Sequence, residues 1–173
     1  MTRAKRKTVV VTGATGFVGR HTVQRLLQEP NLYVRCLVRE HSDRSVLEGL
    51  GQRVSFVTGD ITDPASLETA TAGAWGVINL AGLREFWSRA RSDYFELNEL
   101  GATNVFQSAL AEGVDKVVQV STPLAFGVPE QLPFDERSVA GPHPSDYGRS
   151  KYLGDQAGWR LHREEGLPLS IVY

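Results

Sequence analysis

Thr12-Gly13-Ala14-Thr15-Gly16-Phe17-Val18-Gly19 is the stretch on which the fold turns. It follows an apolar run of strand length, Lys7–Thr12, and opens a segment of helical period, Phe17–Gln28, whose inward face would carry Phe17, Val18, Val23, Leu26 and Leu27. A strand, a glycine-rich turn and a helix in that order bring unpaired backbone N–H groups and the positive end of a helix to one point. A nucleotide pyrophosphate can sit there. Gly13 permits the tight turn, Gly16 lets the backbone approach a phosphate, and Gly19 lets the helix pack closely on the sheet. Thr15, Phe17 and Val18 complete the expected contact surface.

Outward from the loop, apolar runs of strand length alternate with segments of helical period, the pattern of βαβ units and a parallel sheet. Strands are expected at Tyr33–Val38, Val54–Thr58, Val77–Ala81, Val117–Ser121 and Leu169–Tyr173. Helices are expected at Ser45–Leu50, at Pro64–Ala70 behind an Asp63 cap, at Ser92–Glu112 before Gly113, and at Asp146–Glu165. Residues 123–144 hold Pro123, Pro129, Pro133, Pro142 and Pro144 and read as a long loop, usually a functional feature in a compact domain. The 173 residues, 41% of them hydrophobic, suffice for a single domain over residues 1–173, with the sequence stopping inside the sixth strand.

Charge and composition narrow the partners. A net charge of −1 from 19 basic and 20 acidic residues provides no overall field for nucleic acid or an anionic membrane, so any anion must be held locally. The basic start, Met1 to Lys7, is followed only by Val9, Val10 and Val11 before polar residues, too short for the apolar core of a signal peptide. No stretch approaches the roughly 20 apolar residues of a membrane span. A cytoplasmic protein is expected, and the single cysteine, Cys36, in an apolar run, suits a reducing compartment. His21, His41, His143 and His162 are dispersed, so no metal site is expected.

In a dinucleotide fold the residue about 20 positions beyond the loop separates the two nicotinamide cofactors, since an acid bonds a free ribose while an arginine accepts a 2′-phosphate. Arg39 holds that place, with Ser42 and Arg44 close by and Glu40 adjacent, which prefers NADP (NADPH) over NAD. Tyr147-Gly148-Arg149-Ser150-Lys151 then sets a phenol and an ammonium four residues apart on one helical face, where the cation eases proton loss from a tyrosine used as general acid or base. Ser121-Thr122 ends the fifth strand, at the sheet edge where such folds bind ligands, and a hydroxyl there can bond a substrate carbonyl or cap backbone.

Taken together, Thr12-Gly13-x-x-Gly16-x-x-Gly19, Asp60-Ile61, Asn79-Leu80-Ala81-Gly82, Asn98 with Gly101 and Asn104, Ser121-Thr122 and Tyr147-x-x-x-Lys151 occur in an order that resembles the extended short-chain dehydrogenases/reductases, the epimerase/dehydratase group. The run Val34-Arg35-Cys36-Leu37-Val38-Arg39 with Ser42-Asp43-Arg44 is most similar to the dihydroflavonol-reductase-like and hopanoid-associated epimerase branch. The resemblance implies a doubly wound Rossmann-type sheet of strand order 3-2-1-4-5-6 with helices on both faces. It further implies that Asp60 and Ile61 border the adenine, that Ala81 and Gly82 line the path to the nicotinamide ribose, that Leu80 and Asn98 also bind the cofactor, and that Tyr147 moves the proton. Lys151 would bind the nicotinamide ribose and tune Tyr147. Aligning Ala125-Phe126-Gly127 with the family's Val-Tyr-Gly gives Thr122 the catalytic hydroxyl, with Ser121 as the fallback. Members of the family continue into a smaller C-terminal substrate domain that this sequence does not reach, and Tyr173 stands where many carry arginine.

Two regions of the sequence fit these roles less directly. Arg84, Arg89 and Arg91 interleave with Phe86, Trp87 and Tyr94, which reads as a solvated loop edge with one anchoring aromatic or as a surface for substrate or partner. Asp135 and Glu136 in the proline-rich loop read as solubilising carboxylates, with service as catalytic acids the alternative. The expected activity is NADP-dependent hydride transfer to or from a small-molecule ketone, aldehyde or alcohol. The alternatives are a nucleotide-sugar epimerase or dehydratase, which shares the first step, and a non-catalytic NADP-binding module. The family often forms homodimers through helices corresponding to Ser92–Glu112 and Asp146–Glu165.

Overall fold

The computed structural model describes residues 6–85, 88 and 90–173. Its sheet has six strands, β1 Lys7–Thr12, β2 Leu32–Val38, β3 Val54–Thr58, β4 Gly76–Asn79, β5 Lys116–Val120 and β6 Leu169–Val172, in the order β3-β2-β1-β4-β5-β6. Every pairing is parallel. The order is the one expected, and its reversal between β1 and β4 opens a crevice at the carboxyl ends of those strands.

Val9, Val10 and Val11 are all buried because both faces of the sheet are covered. Val9 and Val11 point to one core with Val23, Val34, Cys36 and Val38, under helix α1 (Phe17–Leu26). Val10 points to the other with Leu37, Leu67, Val105, Phe106 and Leu161, under α2 (Pro64–Thr71), α4 (Ala102–Glu112) and α5 (Asp146–Glu165). The Cys36 thiol is enclosed, and burial pushes its pKa up to about 12.

Two arginines bond free carbonyls at the C-terminal ends of helices. Arg35, on β2, donates to the carbonyls of Ala70 and Ala72 at 2.7 Å each, at the end of α2. Arg53 donates to those of Leu27, Glu29 and Leu32, beyond the end of α1.

Three expectations are corrected. Ser45–Leu50 is not a helix; the chain there runs in turns that drop Leu47 into the core at 1% exposure, and Gly49 at φ 88° stops any helical continuation. Phe17 and Val18 are exposed, at 68% and 53%, because the first turn of α1 projects beyond the sheet edge instead of packing on it. The segment expected as one long helix starts as α3 (Ser92–Phe95), passes through a π-helical turn at Glu96–Gly101, and continues as α4. Elsewhere the bounds differ by at most one residue, except that α1 ends two residues early and Leu80 and Ala81 leave the sheet after β4.

Candidate functional site

The crevice is a cavity of about 470 Å³. Gly13, Thr15, Gly16, Phe17, Val18 and Gly19 form one wall, Arg39, Ser42, Asp60 and Ile61 another, and Leu80, Ala81 and Gly82 a third. Thirteen of the expected cofactor residues therefore meet in one place. The loop has the conformation that its glycines were expected to allow. Gly13 takes φ 63°, and a Cβ at Gly19 would come within 2.1 Å of the Gly13 carbonyl oxygen. Gly16 is the N-cap of α1 and supplies no side chain to its first-turn N–H groups, nor does that turn carry an acid. By contrast, α2 and α5 are capped by Asp63 and Ser145. An uncapped helix start facing a cavity is suited to an anion such as a pyrophosphate.

The far wall is shaped by hydrogen bonds. Asp60 accepts from the backbone and the hydroxyl of Thr62, and Asn104 on α4 donates to the Ile61 carbonyl at 3.0 Å. Arg39 and Ser42 close a small turn, the Ser42 hydroxyl accepting from the Arg39 N–H at 3.1 Å. Arg44 does not line the cavity; its guanidinium lies 5.7 Å from the Phe56 ring centroid and donates to Thr58 at 3.0 Å.

A second group of side chains lies at the end of β5. Lys151 is only 6% exposed and donates to the Val120 carbonyl at 2.9 Å. Burial lowers its pKa, and the nearby Asp155 charge partly restores it. Ser121 donates to Asp155 Oδ2 at 2.5 Å, whereas Thr122 accepts from the Leu124 N–H and caps a 3₁₀ turn at Pro123–Phe126. Tyr147 is half-buried in the first turn of α5. None of Tyr147, Lys151, Ser121 and Thr122 lines the 470 Å³ cavity; they stand one strand further along the same sheet edge.

A buried polar chain that sequence reasoning missed joins the two groups. Thr12 donates to Asn79 at 2.5 Å and accepts from the N–H groups of Leu80 and Ala81. Asn79 donates to Gln119 at 2.7 Å, and Gln119 and Lys151 both donate to the Val120 carbonyl. The chain crosses β1, β4 and β5, and its polar side chains, Thr12, Asn79, Gln119 and Lys151, are at most 6% exposed. Polar residues at core positions of three strands were its only sequence signal.

Asn98 is not on the cavity wall. At 1% exposure it holds Leu83 by both backbone groups, at 2.8 and 2.9 Å, and donates to Ser150, which donates to the Tyr147 carbonyl. The π-helical turn carries this clamp, and such turns are frequent at functional sites. Of the arginine-aromatic stretch, Tyr94 is the anchor, buried and donating to the Glu85 carbonyl at 2.7 Å. Arg84 lines the cavity, and Arg91 forms a two-pronged pair with Asp146 at 2.7 Å. Phe86, Trp87 and Arg89 lie outside the described residues. No helix among the described residues is long and apolar enough to cross a membrane.

Comparison with known proteins agrees with this geometry. The sequence model of the NAD dependent epimerase/dehydratase family matches residues 9–173. A dihydroflavonol 4-reductase-like protein of Synechocystis sp. is 32% identical over 84% of this chain and 42% of its own length. Human UDP-glucose 4-epimerase is 31% identical over 84% of this chain and 46% of its own. The crystal structure of the dTDP-glucose 4,6-dehydratase DesIV from Streptomyces venezuelae, with NAD and TYD bound, superposes with a TM-score of 0.86 at 30% identity, covering 95% of this chain and 54% of that one. The chain spans about half the length of the relatives it matches. With a family match over almost its whole length and the expected strand order around the expected loop, the chain belongs to the NAD dependent epimerase/dehydratase family.

Proposed function

We propose that residues 1–173 form an NADP-binding domain whose glycine loop cradles the pyrophosphate, and that the protein is an oxidoreductase acting on a carbonyl or alcohol carbon. The observation that carries this reading is the uncapped start of α1, which faces a cavity with Arg39 and Ser42 on its wall. Asp60 and Ile61 would border the adenine, and Leu80, Ala81 and Gly82 the path to the nicotinamide. Arg39 favours a 2′-phosphate. NAD is the second reading, favoured by the NAD bound to the similar dehydratase.

A bound nicotinamide supplies or accepts the hydride. Tyr147 gives its phenolic proton to the carbonyl oxygen in the reductive direction and takes it back in the oxidative one. Thr122 orients that oxygen, since the Ser121 hydroxyl is committed to Asp155. Lys151, held by the Val120 carbonyl, places its ammonium in the same region for the ribose and for Tyr147. A nucleotide-sugar substrate, oxidised transiently during epimerisation or dehydration, is the second substrate reading, favoured by the likeness to UDP-glucose 4-epimerase and to the dehydratase.

The test is Tyr147→Phe in the longest soluble form of the protein, assayed with a panel of ketones, aldehydes and nucleotide sugars. Turnover should fall about 10²- to 10⁴-fold with dinucleotide affinity unchanged. Retained turnover refutes the role of Tyr147.

A further inference from the structure

Asp155 lies one helical turn beyond Lys151 on α5 and is 2% exposed. A carboxylate so buried is costly unless neighbouring groups use it. Here they do. Its Oδ2 accepts from Ser121 at 2.5 Å, Lys151 stands on the same helical face, and the Tyr173 hydroxyl interacts with the same carboxyl. Asp155 also lines a second cavity, of about 280 Å³, with Glu136 from the proline-rich loop, Tyr152 and Trp159 from α5, and Tyr173 from beyond β6. Burial raises its pKa to about 6, against the lowering effects of Ser121, Lys151 and Tyr173.

We propose that Asp155 is a positioning residue for the Tyr147–Lys151 pair: it draws the Ser121 hydroxyl away from a substrate and sets a negative charge beside the buried Lys151 ammonium. This rests on the reading of Tyr147 and Lys151 as the proton-transfer pair. Two consequences follow from the geometry. Thr122 is the strand-end hydroxyl presented to a substrate, and the protonation of Lys151 depends on a carboxyl one turn away that touches no substrate atom. Tyr173, at the same cavity, lowers the Asp155 pKa through its hydroxyl, and Glu136 acts in turn on Tyr173.

The test reads Lys151 directly, without cofactor or turnover. The chain has four lysines, so ¹³Cε-lysine labelling gives four resonances, and Lys151→Arg assigns the buried one. In Asp155→Asn, which retains an acceptor for Ser121 but removes the charge, the Lys151 titration midpoint should fall by about one pH unit or more. Asp155→Glu should move it back toward that of the unaltered chain. An unchanged midpoint in Asp155→Asn overturns the proposal. Should that variant fail to fold, Ser121→Ala serves instead, read on the ¹³Cγ resonance of Asp155. Loss of the hydroxyl should raise the Asp155 midpoint above about 6, and no change overturns the proposal. NADPH titration of the same samples keeps the two readings apart, because failure to bind dinucleotide counts against the proposed function alone.

Discussion

The glycine-loop end of the crevice and the Tyr147–Asp155 edge are built from different parts of the chain. The loop is backbone: its N–H groups, a left-handed Gly13 and a helix start with no side-chain cap. The edge is side chain: Ser121 from the end of β5 bonds Asp155 of α5, Asn79 bonds Gln119, and Gln119 and Lys151 meet at the Val120 carbonyl. A backbone site fails when space is taken from it. A side-chain site fails when a charge or a hydrogen bond is removed, and the difference can be measured.

The largest effect is expected at the loop. In Gly19→Ala the new Cβ would meet the Gly13 carbonyl at 2.1 Å, backbone against backbone. The expected cost is about 3 kcal/mol or more, a fall of roughly 10 °C in Tm by calorimetry, with dinucleotide binding lost. Wild-type stability in this variant would break the account of the loop.

Asp155→Asn should act in the opposite sense. Because the folded carboxyl has its pKa raised from 3.8 to about 6, the folded chain holds a proton that the unfolded chain has released, and stability drains away as pH rises across that window. The variant lacks this penalty. Its stability relative to the unaltered chain in urea should therefore grow between about pH 4 and pH 6, by an amount on the order of 2–3 kcal/mol. A pH-independent difference would show that the edge is held by packing alone.

The contrast also explains what the sequence made legible. The strands and the loop follow from local signals, because each glycine, strand and cap acts within a few residues of itself, whereas the strand order and the wall residues Asp60, Ile61, Leu80, Ala81 and Gly82 were implied by the family resemblance. Arg39 and Ser42 stand on the wall at the spacing expected. Ser45–Leu50 misled because Leu47 answers to the core while Gly49 breaks the helix its neighbours suggest. Phe17 and Val18 misled because apolar residues in a first turn can face a cavity instead of a core. Asp155, Gln119 and Asn79 could not be joined in advance, since their partners are 34 to 67 residues away and only strand register brings them together.

Smaller effects sharpen the comparison at its margins. Arg39→Ala should weaken NADPH binding about tenfold and leave NADH nearly unchanged, as expected for loss of one charge-assisted contact to phosphate. Arg91→Ala removes a two-pronged pair whose arginine is 81% exposed, and Tm should not change measurably.

The most direct measurement is a fluorescence titration of the purified 173-residue chain with NADPH and with NADH. Saturable binding of both is expected, with NADPH the tighter. Equal or tighter binding of NADH would contradict the assignment of Arg39, and no binding of either would contradict the central claim that the uncapped start of α1 is a pyrophosphate site.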